Sequence, residues 1–70
     1  MTQNEMILKY LEDFGSITPL EALSDLGVMR LAARISELED RGHTFDHEMI
    51  QSQNRYGKTV RFMRYKRVSA

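Results

Sequence analysis

Up to Arg41 the apolar residues recur every three or four positions, and from His43 onward they alternate with polar ones. The first period belongs to amphipathic helices and the second to half-buried strands. A first helix over residues 3–14 places Ile7, Leu8, Leu11 and Phe14 on roughly one face. Thr2 with Glu5 three positions on has the spacing of a reciprocal capping box, and Gly15 accepts the left-handed conformation that follows a helix. Ser16-Ile17 reads as a short extended link. Thr18-Pro19-Leu20-Glu21 repeats the start signal, with proline at the first helical position, where its missing N–H costs nothing. The second helix is expected over residues 19–26, with Leu20 and Leu23 facing inward, Ala22 and Leu26 as further inward candidates, and Gly27 as its stop.

A third helical stretch resumes after only Gly27-Val28 and is expected over residues 29–41, its buried side set by Leu31, Ile35 and Leu38. Two helices joined by so tight a glycine turn cross steeply, which is helix-turn-helix geometry. Beyond Gly42 the pattern predicts a hairpin over residues 44–51 and 59–68. In its first strand Phe45, His47 and Met49 share one side, with Thr44, Asp46 and Glu48 on the other. Its loop is polar and carries Gly57. In the second strand Val60 and Phe62 share one face and Met63 and Tyr65 the other. That arrangement calls either for a bulge near Phe62-Met63 or for a strand partly covered on both faces. The expected fold is α+β: a single three-helix winged helix-turn-helix domain with a C-terminal β-hairpin wing.

Seventy residues at 41% hydrophobic content suit one modest core and no deep catalytic cleft. The absence of cysteine removes disulfides and thiolate metal sites. No apolar run approaches the ~18 residues a membrane span requires, and the N-terminus lacks a signal-peptide pattern, so a soluble cytoplasmic chain is expected. The net charge of zero conceals a division. All ten acids lie in residues 1–50 beside four Lys and Arg, a balance of −6, whereas residues 51–70 carry six basic residues and no acid, +6. Such asymmetry points to nucleic acid or another anionic partner, or else to a basic strand that neutralises an acidic helical layer.

The segment SITPLEALSDLGVMRLAARISELEDRGH, residues 16–43, resembles small helix-turn-helix proteins of bacteriophages and prophages. In these an ITPxEAL…LGxxRLAARIxELxxxG core precedes a basic strand ending in an aromatic-basic step, here Arg64-Tyr65-Lys66. The resemblance implies a three-helix winged architecture and binding of double-stranded DNA in a bacterial host cell. It departs at Glu39-Asp40, where relatives often carry basic residues.

Within this frame the residues expected to read bases are Arg30, Ala33, Arg34 and Glu37. Arginine can bond guanine O6 and N7 together, Ala33 and Met29 suit thymine methyls, and glutamate can accept from cytosine N4. The competing readings are structural: Arg34 paired with Glu37 or Asp25, Arg30 packed over the turn, and Glu37 on a solvated surface. For the backbone the candidates are Arg55, Tyr56, Lys58, Arg61, Lys66 and Arg67. Against these stand packing of Tyr56 on the hairpin and basic residues that merely protect a strand edge.

No enzyme is expected. His43 and His47 lie about 13 Å apart along a strand, too far to share a metal, and no phosphate loop, nucleophile elbow or HExxH pattern occurs. No cofactor or metal is implied. A transcriptional regulator or excisionase-like accessory factor fits best, with dimerisation or cooperative assembly on DNA expected because one small domain offers few base contacts. The alternative is a protein-interaction module that binds or inhibits a host protein through its acidic helical layer or its basic hairpin.

Overall fold

The structure, a computed structural model, describes residues 1–68. Three helices precede a long hairpin: α1 (Gln3–Phe14), α2 (Pro19–Leu26), α3 (Leu31–Asp40), β2 (Phe45–Gln53) and β3 (Thr59–Arg67). The Ser16-Ile17 link is itself a strand, β1 (Ser16–Ile17), so the sheet is three-stranded and antiparallel in the order β1-β3-β2. This is the α+β winged architecture the pattern predicts. Among the described residues no helix is long and apolar enough to cross a membrane.

Both capping boxes form. Thr2 Oγ1 accepts from the Glu5 N–H at 3.1 Å while Glu5 Oε1 accepts from the Thr2 N–H at 3.0 Å. Thr18 and Glu21 make the same exchange at 3.2 and 3.0 Å. Gly27, at φ 70°, closes α2 through its N–H to Leu23 and the Val28 N–H to Ala22. A side chain at Gly27 would strain this left-handed position.

Three inward-facing expectations fail, each for a geometric reason. Burial of Ala22, with Leu26 packed against the core one turn on, fixes the rotation of α2. At ~100° per residue this throws Leu20 and Leu23 outward, leaving them 71% and 49% exposed. In α1, Ile7, Tyr10 and Leu11 form the buried set. Phe14 is instead 70% exposed, its ring 4.6 Å from that of Tyr10 at the helix end.

The third helix also starts later than its apolar period suggests. Val28 is buried, and anchoring it keeps Met29 and Arg30 in the turn. Arg30 is therefore the residue before α3, at φ −120° and ψ 64°, with no side-chain cap. At the other end α3 stops at Asp40, not Arg41, as Arg41, Gly42 and His43 fold their N–H groups back onto the last carbonyls.

The hairpin register is unbroken from Phe45↔Arg67 to Gln53↔Thr59, with no bulge. Of the two arrangements the sequence allows for β3, a strand partly covered on both faces is the one formed. Tyr65 is buried and Met63 packs against the core on the helix side, while Phe62, Arg64 and Lys66 are half-buried on the reverse. β2 extends to Gln53 because Asn54 closes the turn. Its Oδ1 accepts from the N–H groups of Tyr56 (2.9 Å) and Lys58 (3.1 Å), so the loop needs fewer residues than the polar run suggests.

On the reverse face Glu48 takes Lys66 Nζ at 3.2 Å and also the guanidinium of Arg64. Hydrogen bonding from Lys66, then from Arg64, holds the Glu48 carboxyl below its ordinary value of 4.5. A depressed folded pKa contributes stability above the unfolded value and loses it as pH falls through the folded one. Glu48→Gln should therefore have a lower urea midpoint than the parent at neutral pH, with the gap closing below pH 4.5. A gap unchanged by acid would assign the effect to packing rather than charge.

Between helices, Tyr10 Oη donates to Asp25 Oδ2 at 2.8 Å. That bond, with burial, pushes the Tyr10 phenol from 10.0 up to about 12. The stabilisation is thus complete below pH 10 and is lost as pH rises toward 12. In an ultraviolet phenolate titration, Asp25→Asn should bring the highest tyrosine transition down toward the ordinary range; an unmoved transition would discount this bond.

Candidate nucleic-acid interface

The surface that α3 turns outward is split in charge along its length. At the leading end stand the exposed Met29 and Arg30, with the half-buried Ala33 and Arg34 behind them. Arg30 borders a shallow depression formed by Gln3, Gly27, Met29 and Arg34. At the trailing end stand Glu37, Glu39 and Asp40. Between them Arg34 Nε lies 3.2 Å from Glu37 Oε1. Nε is buried without a hydrogen bond, so this is a charge contact without hydrogen-bond alignment. Of the partners the sequence allowed for Arg34, Glu37 is the one it takes. Two of the four expected base-reading residues therefore engage each other, and Arg30 alone among the four carries a cation without an ion pair among the described residues.

The wing is joined to α3 through His47. Its ring stands edge-on to Tyr65 at 5.0 Å, and its Nε2 lies 3.1 Å from Glu39 Oε2. Burial raises the Tyr65 phenol above its usual value, with the Glu39 charge adding to this. Because side chains alternate along a strand, His47 and Tyr65 identify the face of the hairpin that looks toward the helices. Arg61, opposite Gln51, lies on that face, as do Gln53 and Thr59.

The six basic residues of the hairpin separate into four places. Arg55 and Lys58 stand at the tip beside the fully projecting Tyr56, which is 88% exposed. Packing of Tyr56 on the hairpin is thus not its arrangement. Arg61 is on the helix side. Arg64 and Lys66 are on the reverse side, tied to Glu48. Arg67 stands at the foot of the hairpin, lining a depression with Glu12, His43 and Thr44. About 26 Å of strand separates it from Thr59, so Arg67 and the tip do not share one contact.

Sequence reasoning missed the capture of Lys66 by Glu48, along with the polar Gln51, Gln53 and Thr59 beside Arg61. Both follow once the turn is fixed, since the register then places Glu48 opposite Arg64 and next to Lys66. The missing signal was the ability of Asn54 to close a short loop. Among the described residues no three His, Asp or Glu side chains gather as metal ligands.

Comparison with known proteins gives one match. The profile of the family described as the winged helix-turn-helix domain covers residues 2–67. No curated protein and no solved structure matches the chain significantly. With the turn between α2 and α3, the sheet order and the projecting hairpin in place, the chain belongs to the winged helix-turn-helix domain family.

Proposed function

We propose that this domain binds double-stranded DNA sequence-specifically, as a small transcriptional regulator or excisionase-like accessory factor of phage or prophage origin. The observation that carries the reading is the sorting of its cations. Six cations, Arg30, Arg41, Arg55, Lys58, Arg61 and Arg67, have no ion pair among the described residues; Arg30, Arg55, Lys58 and Arg61 occupy the leading end of α3, the wing tip and the helix-facing side of the wing, while Arg41 follows the last turn of α3 and Arg67 stands at the hairpin foot. In helix-turn-helix complexes the N-terminal residues of the second helix reach base edges in the major groove. Arg30 and Ala33 hold those positions, with Met29 beside them. The acidic trailing end of α3 is repelled by phosphate, which confines reading to the first turns. Arg55, Tyr56, Lys58 and Arg61 then grip the backbone and position the helix without reading sequence. Arg34 joins the interface only by leaving Glu37, so their pairing holds both side chains back from the bases in the unbound domain. Lys66 stays with Glu48 on the face of the hairpin opposite His47 and Tyr65, and Arg67 at the hairpin foot adds charge at long range.

A second reading is favoured by Glu37, Glu39 and Asp40. This acidic surface suits a basic host protein, bound by a winged domain used as an interaction module.

Mobility-shift titration against genomic and phage duplexes at low and moderate salt separates the two. Arg30→Ala should lose about 1–3 kcal/mol on the preferred site and relax selectivity at one base pair. Lys58→Ala should weaken all duplexes alike and reduce the salt slope by about 1. Lys66→Ala should change little. Glu37→Gln should tighten binding by releasing Arg34 and removing a repelled charge. Equal, sequence-blind losses from Arg30→Ala and Lys58→Ala would remove α3 as the reader. Failure to retard any duplex at low salt would sink the DNA reading and turn the search to basic protein partners.

A further inference from the structure

The sheet has one long open edge. β1, at one side, is only two residues long, whereas β2, at the other, runs for nine. Exposed edges are normally blunted by lysine, proline, a bulge or shortness. Phe45–Gln53 contains neither lysine nor proline, and its register with β3 is unbroken. Its second half, Met49 to Gln53, is uncharged.

The hydrogen bonds at the two ends of the hairpin show which backbone groups are open. Val68 donates to Thr44, and Asn54 donates to Lys58. Bonded pairs alternate along an antiparallel ladder, so Asp46, Glu48, Ile50 and Ser52 bond inward to β3. The N–H and C=O groups of His47, Met49, Gln51 and Gln53 therefore point outward from the edge.

We propose that this edge is a self-association surface, on which two copies of the chain pair β2 antiparallel to β2 about a two-fold axis between their Ile50 residues. In this register His47 pairs with Gln53 and Met49 with Gln51 of the other copy, which closes about eight main-chain hydrogen bonds. Glu48 falls opposite Ser52 and Asp46 opposite Asn54, so no like charges face each other. A register centred on His47 would oppose Asp46 and Glu48. One centred on Met49 would set Glu48 against Ile50. Centring on Ile50 avoids both, and merges the row of Ile50, Phe62 and Val60 on the reverse face of one copy with that of the other.

Charge complementarity supports the same pairing. Asp46 is exposed and has no ion pair among the described residues. The antiparallel arrangement sets Arg55 of each copy opposite Phe45 and next to the unpaired Asp46 of the other, on the strand that lies outside Arg67 and Lys66. Such exposed pairs add little affinity, but they oppose alternative registers. The two-fold axis is perpendicular to the sheet, so both α3 helices lie on the same side of a continuous six-stranded sheet built from two three-stranded ones.

The chain has no cysteine, which makes the test direct. Residues facing across a non-hydrogen-bonded antiparallel pair have Cα atoms ~4.5 Å apart, within disulfide range. Under mild oxidation Ile50→Cys should form a linked dimer at least about tenfold faster than Ser24→Cys on the exposed side of α2, since linkage within an assembled dimer is effectively intramolecular. Sedimentation of the parent should show a dimer, and a parent that stays monomeric at high concentration would overturn the proposal. Gln51→Pro, which removes an outward N–H and no bond to β3, should sediment as a monomer with an unchanged far-ultraviolet circular dichroism spectrum. If that variant does not fold, the cross-linking comparison decides alone. Equal linking rates at Ile50→Cys and Ser24→Cys would overturn the proposal, as would a parent dimer that survives in a folded Gln51→Pro. None of these measurements involves DNA, so their failure leaves the DNA reading untouched.

Discussion

The side chain of Tyr65 stands where the three parts of the molecule meet. Its strand is the middle one of the sheet, bonded to β1 at Ile17 on one side and facing His47 of β2 on the other. Its ring is buried in the same cluster as Ile7, Ile35 and Leu38 from the helices. Through His47 and Glu39 the same contact extends to the outer surface of α3. The position of the wing relative to the helices is therefore set by this packed ring and the groups that touch it, together with Phe45 of β2, which is buried in the same cluster. A short hairpin without such an anchor would be marginal in water, and the two residues of β1 matter because they hold the anchor strand to the helical layer.

Charge acts on top of this frame by subtraction. The hairpin begins with six cations and no acid in residues 51–70, a number that suggests a continuous basic surface. Folding divides them. Two are taken by Glu48 on the reverse face, one is left at the foot, two stand at the tip, and Arg61 is on the helix-facing side of the wing. The same subtraction acts on α3, where Glu37 holds Arg34. What remains is a smaller surface than the composition implies: Arg30 before α3, Arg61 on the helix-facing side of the wing, and the loop beyond.

Much of this was legible in the sequence because its strongest signals are local. Thr2 with Glu5 and Thr18 with Glu21 can only cap helices at those points, and Gly15 and Gly27 terminate them. Rotation of a helix about its axis is a different matter, decided by the whole core. A two-turn helix with leucines at positions 20, 23 and 26 has more than one apolar face, and only the burial of Ala22 selects among them. Likewise Met29 and Arg30 fit a helical period, and it is the insertion of Val28 into the core that leaves them in the turn. The pairing of Ser16 and Ile17 with Lys66 and Tyr65 joins residues distant in sequence, and no local pattern reports it.

The wing carries a tension that follows from its length. Tyr65 is the last fully buried residue of β3 in the direction of the tip, and beyond Met63 the hairpin leaves the core with its side chains largely exposed. Its order there rests on the ladder and on the two hydrogen bonds to Asn54 rather than on packing. A projecting hairpin of this kind can follow the contour of a duplex, but each ordered residue lost to the ligand carries an entropic penalty. Met49, 55% exposed on the helix-facing side, would pack better if something covered the outer strand. A wing that is bare on its outer edge and loosely covered on its faces is thus at its most ordered in company, whether that company is a duplex against the helix-facing side or a second strand along the edge. The two proposed contacts do not compete for the same backbone groups: DNA would meet side chains at the tip and the helix-facing side, and an added strand would meet the outward N–H and C=O groups of β2.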